Sequence, residues 1–140
     1  MKPVVMLAAL LVAATAGCSQ LPMTQQERQK VVLQVSDADP AKWNLALNNA
    51  ENIQQALGKG KVDVEIVAYG PGLGMLLAES KVAARLNGAM DSNVALLACA
   101  TTMRKSKVTE ADLAGGVKVV PGGVVHIMNR QQEGWSYVRP

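Results

Sequence analysis

The 140-residue chain is long enough to bury the core of one domain, and its charges are nearly balanced. Fourteen Lys and Arg residues against eleven Asp and Glu residues give a net charge of +3, and the basic residues are scattered. With two Trp, two Tyr and no Phe, the sequence lacks an aromatic platform on which bases could stack. Charge and composition therefore exclude nucleic acid as an expected partner.

Residues 1–17 have the pattern of an export signal peptide. Lys2 precedes an apolar run over residues 4–14. This run is shorter than the roughly 20 residues that a permanent membrane-spanning helix needs. We therefore expect an exported, periplasmic protein in which about 120 residues remain for a single domain.

Two processing routes are open at the end of this signal. Residues 14–16 are Ala-Thr-Ala, which suits ordinary signal cleavage, whereas residues 16–18 are Ala-Gly-Cys, similar to the end of a bacterial lipoprotein signal. In the second route Cys18 becomes the lipidated N-terminus, and residues 18–28 form a polar tether. A lipid on Cys18 is then the only expected attachment to a membrane.

The first half of the domain alternates strand and helix. A β-branched run over residues 30–35 predicts a strand. Asp39 as N-cap and Pro40 at the first helical position predict a helix that ends at Gly58. Residues 62–68 predict the second strand, and residues 69–74 a turn. Residues 75–87 predict a helix that is either continuous or interrupted near Ser80 and that Gly88 ends, and residues 94–99 predict a third strand.

The second half continues the alternation after a loop over residues 100–105. Thr109 and Asp112 form a capping-box pattern that predicts a short helix, and Gly115 and Gly116 are expected to stop it. The remaining predicted elements are a strand over residues 117–120, a helix over residues 124–132 and a last strand over residues 135–138. The order predicts an α/β fold over residues 29–140: a single three-layer α/β/α domain with a mostly parallel sheet of about five strands.

Cys99 is the candidate catalytic residue because it closes the apolar run of the third predicted strand. In open α/β sheets, ligands and reactive side chains gather beyond the carboxyl ends of the strands. If the chain turns helical at Thr101 or Thr102, backbone N–H groups will face the sulfur, and Arg104 could add a positive charge. The alternative is inert packing, since free cysteines are among the most buried residues.

Loops after the other strands should surround the same crevice. Asp37 could orient a donor or act as a base, or serve only as a turn residue. Tyr69 could reach the sulfur or form a wall, and Gly122 could offer its N–H to an anion or allow close packing. The candidate binding residues are therefore Asp37, Tyr69, Gly70, Thr102, Arg104 and Gly122.

Neither a metal site nor a cofactor is expected. His126 is the only histidine, and it has no cysteine or carboxylate at helical spacing in the last predicted helix. We therefore interpret His126 as a packing or surface residue.

Four segments of the chain, residues 98–103, 112–113, 119–125 and 130–140, resemble the DsrE/DsrF-like family, in the YchN-related branch of intracellular sulfur-oxidation proteins, and the resemblance spans about residues 29–140. The segments read Ala-Cys-Ala-Thr-Thr-Met, Asp-Leu, Val-Val-Pro-Gly-Gly-Val-Val and Arg-Gln-Gln-Glu-Gly-Trp-Ser-Tyr-Val-Arg-Pro. The resemblance implies a compact α/β/α fold, small homo-oligomers, and a cysteine, here Cys99, that carries sulfane sulfur between a donor and an acceptor protein.

Three functions follow from these observations. The first is an exported sulfur (persulfide) carrier, similar to a sulfurtransferase, or a thiol-redox protein, acting through Cys99. The second is a non-catalytic oligomeric binding or structural module. The third is a small-molecule pocket without covalent chemistry. The well-known relay members are cytoplasmic, so their partners do not carry over to an exported chain.

Overall fold

The computed structural model describes residues 27–140. The predicted export signal, Cys18 and residues 18–26 of the predicted tether lie outside the described residues. Within residues 27–140, no helix combines the length and the apolarity needed to cross a bilayer.

The described chain forms five strands and four α-helices in alternation. The strands are β1 (Gln29–Val35), β2 (Val62–Ala68), β3 (Val94–Cys99), β4 (Lys118–Val120) and β5 (Ser136–Val138). The α-helices are α1 (Pro40–Leu57), α2 (Ala83–Asp91), α3 (Ala100–Ser106) and α4 (Gly123–Gln132), and two 3-10 helices span Gly70–Leu76 and Glu110–Asp112. All strand pairs are parallel in the order β4-β3-β2-β1-β5, which confirms the predicted α/β fold.

The two faces of the sheet carry different clusters of apolar side chains. Because side chains alternate along a strand, Leu33 points to one face and Val32 to the other. The Leu33 face packs against α1, α2 and the Gly70–Leu76 helix in the larger cluster. On the Val32 face, Ile127 of α4 packs against a smaller cluster. Burying a Leu or Ile side chain fully stabilises the fold by about 1.5–3 kcal/mol, so the Leu33 face supplies most of the stability.

A continuous helix over residues 75–87 is wrong, and the alternative of an interruption near Ser80 is confirmed. The chain instead forms the Gly70–Leu76 3-10 helix, pairs Leu77 with Leu113 in an isolated bridge, and begins α2 only at Ala83. Met75 and Leu76 are completely buried, so tertiary packing decides the local conformation. Helix α2 continues through Gly88 and is followed by Asn93, whose φ of 59° reverses the chain.

The predicted loop over residues 100–105 is also wrong, because α3 begins directly after β3, and the alternative that the chain turns helical just after Cys99 is confirmed. Helix α3 ends at Ser106, and its C-cap Lys107 adopts a left-handed conformation with φ of 56°. The capping box of Thr109 and Asp112 is confirmed, yet it opens a single 3-10 turn that ends before Gly115. The immediate start of α3 matters for the site because it places helical N–H groups next to Cys99.

Candidate functional site

Cys99 lies where β3 ends and α3 begins. It is the last residue of the strand and also the N-cap of the helix. Its partner in β4 is Val120, so its side chain lies on the sheet face that α4 covers. The thiol therefore sits between the sheet, the start of α3 and the start of α4.

Hydrogen-bond donors from both helices surround the sulfur. The N–H of Gly123, the first residue of α4, donates to Cys99 Sγ at 3.2 Å. Burial of the thiol raises its pKa, but donation from Gly123, from the N–H and hydroxyl of Thr102 and from the N–H of Thr101 outweighs burial. The net effect lowers the pKa of Cys99 below the ordinary thiol value, so the site favours the thiolate.

Access to the thiol is restricted. Cys99 is a free cysteine with only 5% of its surface exposed. Its sulfur nevertheless faces main-chain N–H groups and the Thr102 hydroxyl, which distinguishes it from a cysteine packed among aliphatic side chains. The Cys99 sulfur therefore lies in a site that is both buried and polar.

Tyr69 forms one wall of this site. A Cβ atom added at Gly123 would lie 3.2 Å from Tyr69 Cβ and 3.3 Å from Cys99 Cβ, so the three residues are in close contact. Burial raises the pKa of the Tyr69 hydroxyl, and neighbouring Tyr137 adds to the increase. Tyr69 is therefore a neutral side chain beside a thiol that tends to ionise.

Gly70 and Thr102 join the turn after β2 to α3. The N–H of Gly70 donates to Thr102 Oγ1 at 2.9 Å, and Gly70 has a φ of +52°, a conformation that favours glycine. Both residues and Tyr69 line an open depression of about 480 Å³, together with Pro71, Thr101, Lys105 and Ser106; Cys99 itself does not line it, but its neighbours Tyr69 and Thr101 do. The structure thus brings three of the predicted binding residues to one place.

Arg104 and Asp37 have other contacts. Arg104 is in the last turn of α3, and its guanidinium donates to Thr101 Oγ1 at 3.2 Å. The Thr101 hydroxyl in turn donates to the carbonyl of Pro121 at 3.2 Å. Asp37 offers its main-chain carbonyl to Trp43 Nε1 at 2.7 Å. Arg104 therefore contacts Thr101, which lies near the Cys99 sulfur. Asp37 instead positions α1 through Trp43.

Gly122 is the N-cap of α4, and its carbonyl accepts from the N–H of His126 at 2.9 Å. The donor to the sulfur is the next residue, Gly123. The sequence shows the Gly-Gly pair before a helix, but only the packing against Tyr69 and Cys99 distinguishes the two glycines.

A buried ionic cluster was missed in the sequence analysis. Glu65 of β2 is 8% exposed, and its carboxylate accepts from His126 and Arg130 of α4. His126 is 61 residues from Glu65, so no local spacing indicates the pair. The available signal was a glutamate that is followed directly by the apolar second half of β2, Ile66-Val67-Ala68.

In the described residues there is no group of three His, Cys, Asp or Glu side chains placed to hold a metal ion.

Comparison with known proteins identifies relatives over the same residues. The sequence profile of the DsrE/DsrF-like family matches residues 29–140. The protein of unknown function MTH1491 from Methanobacterium thermoautotrophicum is 35% identical, with a TM-score of 0.77, covering 80% of this chain and 99% of its own. No curated protein matches the chain.

Two more distant structures share the fold. The YchN protein from E. coli is 17% identical with a TM-score of 0.67, covering 80% of this chain and 99% of that one. The conserved protein of unknown function BT1422 from Bacteroides thetaiotaomicron is 12% identical with a TM-score of 0.60, covering 80% and 95%. At these identities the likeness concerns the fold.

Proposed function

The chain belongs to the DsrE/DsrF-like family, and on that basis we propose that it is a sulfur carrier that holds a sulfane sulfur atom on Cys99. The single observation that supports this function best is the Cys99 sulfur at the joint start of α3 and α4, where it accepts from Gly123 N–H. Sulfur transfer requires a thiolate, and these donors favour one.

The proposed reaction has two balanced halves. In the first, the Cys99 thiolate attacks the outer sulfur of a donor persulfide; a new S–S bond forms on Cys99, the donor S–S bond breaks, and the donor leaves as a thiolate. In the second, an acceptor thiolate attacks the outer sulfur on Cys99, which leaves as a thiolate again. In each half-reaction one S–S bond forms as another breaks, so the cycle needs no separate oxidant or reductant.

We place the donor in the depression beside the thiol. Tyr69, Gly70 and Thr102 line it, and Thr102 is among the groups that lower the pKa of Cys99. Cys99 is only 5% exposed. A small persulfide, or a persulfide at the tip of an extended protein segment, can therefore reach its thiol more easily than a broad protein surface can.

Sulfur loading tests this function directly. We expect the full-length chain carrying Cys18→Ser, in which Cys99 is the remaining cysteine, to gain the mass of one sulfur atom on exposure to a low-molecular-weight persulfide. Intact-protein mass spectrometry before and after treatment with a reducing agent measures the gain and its reversal. Adding Cys99→Ser should abolish loading. Absence of uptake by the folded single variant would overturn the proposal.

A second candidate, a non-catalytic oligomeric module, is favoured by the outer surface of α4. Val124, Val125 and Met128 are each more than half exposed, and Tyr137 on β5 adds further apolar surface. We propose that this surface joins copies of the chain into a homo-oligomer, with or without thiol chemistry.

Charge placed on that surface should dissociate the oligomer. Val125→Glu combined with Met128→Glu is expected to give monomers in sedimentation-velocity measurements, because two carboxylates would be buried unpaired in the interface. Leu45→Glu is the matched control, since Leu45 is exposed on α1 beyond the opposite sheet face. A wild-type chain that stays monomeric at high concentration would refute the oligomer.

We further propose export to the periplasm with a lipid on Cys18. The chain should then fractionate with membranes and leave them when Cys18→Ser is introduced, whereas Cys99→Ser should stay bound. Recovery of the Cys18-containing chain in the soluble periplasmic extract would instead indicate ordinary signal cleavage.

A further inference from the structure

Glu65 is a charged residue in the middle of the sheet. Its neighbours in register are Val32 of β1 and Ala95 of β3, and its side chain lies on the face that α4 covers. A buried carboxylate is costly unless it is paired and hydrogen-bonded. The partners of Glu65 therefore show what holds it there.

All of these partners come from α4. Arg130 donates to Glu65 through Nε at 2.9 Å and through Nη2 at 2.7 Å, which is a bidentate pair. His126 Nε2 lies 2.7 Å from Glu65 Oε2. Because His126 and Arg130 are four residues apart, they lie on the same side of the helix, and one carboxylate holds both.

Arg130 is held from other directions as well. Its Nη1 donates to Glu133 at 2.7 Å, and its guanidinium carbon lies 4.7 Å from the centre of the Trp135 ring. These contacts leave Arg130 little freedom, so its bidentate bonds to Glu65 fix the position of α4 along the sheet.

The other end of the same helix touches the thiol. Gly123 donates to Cys99 Sγ, and between Gly123 and Arg130 the buried Ile127 packs on the sheet. Helix α4 has only ten residues, so a shift where Glu65 holds it also moves its first N–H. A hydrogen bond to sulfur is sensitive to such a shift because its strength falls with distance and angle.

We propose that Glu65 is a positioning residue for Cys99: it fixes α4 through His126 and Arg130 so that the Gly123 N–H points at the sulfur. This assignment rests on the proposed function, because it gives Glu65 a role in holding the Gly123 N–H against the sulfur of the proposed carrier thiol. Glu65 acts entirely through α4.

The test measures the ionisation of Cys99 in full-length Cys18→Ser protein, from the pH dependence of its alkylation rate. Glu65→Gln keeps the shape of the side chain but removes its charge and one acceptor oxygen. We expect the pKa of Cys99 to rise by about one unit, as the loss of much of one hydrogen bond to a charged group implies. Alkylation at neutral pH should slow by up to about tenfold.

Glu51→Gln is the matched control. Glu51 is a carboxylate of α1 that pairs with Arg85 of α2, away from α4, so the same change of charge should leave the pKa of Cys99 unchanged. A merely structural role for Glu65 would lower the stability of Glu65→Gln without moving the pKa of Cys99 in the folded protein. An unchanged pKa in folded Glu65→Gln would therefore overturn the inference.

Arg130→Gln keeps the inference falsifiable if Glu65→Gln does not fold. It removes the bidentate donor and should raise the pKa of Cys99 in the same direction, whereas an unchanged value would again contradict the assignment. The outcomes also separate the two proposals. A pKa that shifts in a protein that takes up no sulfur would refute the carrier function alone, and sulfur uptake with an unshifted pKa would refute only the role of Glu65.

Discussion

Gly123→Ala is expected to raise the pKa of the Cys99 thiol by about one unit and to slow its alkylation at neutral pH by up to about tenfold. The added Cβ would lie 3.2 Å from Tyr69 Cβ and Cδ1 and 3.3 Å from Cys99 Cβ, closer than such atoms normally approach. The start of α4 has to move back, and its N–H then leaves the 3.2 Å contact with Cys99 Sγ. Sulfur loading should slow in parallel.

Gly122→Ala is the control for that substitution. A Cβ at Gly122 would meet only Val125 side-chain atoms at 3.8 Å, an ordinary contact, and the residue has extended backbone angles that alanine adopts. The pKa of Cys99 should therefore stay at its wild-type value. Equal pKa values in the Gly122→Ala and Gly123→Ala proteins would mean that the Gly123 N–H does not set the ionisation of the thiol.

The contrast between these glycines illustrates how far the sequence predicts the site. The loops after β1, β2, β3 and β4 were expected to meet because parallel strands place their carboxyl ends at one edge. Tyr69, Gly70 and Thr102 do line one depression, whereas Asp37, in the loop after β1, does not line it. Which glycine touches the sulfur depends on how α4 packs. That packing depends on contacts between residues that are far apart in the sequence, and no local sequence pattern predicts such contacts.

The errors in the predicted fold have a similar physical origin. Strand β1 was predicted because its β-branched run is a local property of the sequence. The Gly70–Leu76 segment adopts a 3-10 helix because Met75 and Leu76 are buried against the sheet, a tertiary effect that overrides local helical spacing. The contact between Glu65 and His126 is harder still to predict from the sequence, because only the fold brings together residues that are 61 positions apart.

Gly72→Ala is expected to have the largest effect on stability, a loss of about 3 kcal/mol, at the upper end for overpacked sites. A Cβ at Gly72 would lie 2.3 Å from the carbonyl oxygen of Val35 and 2.9 Å from Ser36 Cα. These are backbone atoms at the end of β1, so the clash can be relieved only by moving the strand or the turn after β2. That turn carries Tyr69 and Gly70, so the depression beside Cys99 should be distorted as well.

Gly88→Ala is the matched control for Gly72→Ala, and urea unfolding followed by circular dichroism measures both. Gly88 lies inside α2 with no atom within 4 Å of an added Cβ, so alanine should stabilise the protein by about 0.5–1 kcal/mol through its higher helix propensity. The same chemical change thus has opposite signs at two glycines. A loss at Gly72 below about 1 kcal/mol would mean that β1 and the turn can separate at little cost, contrary to the close backbone contact that positions the site.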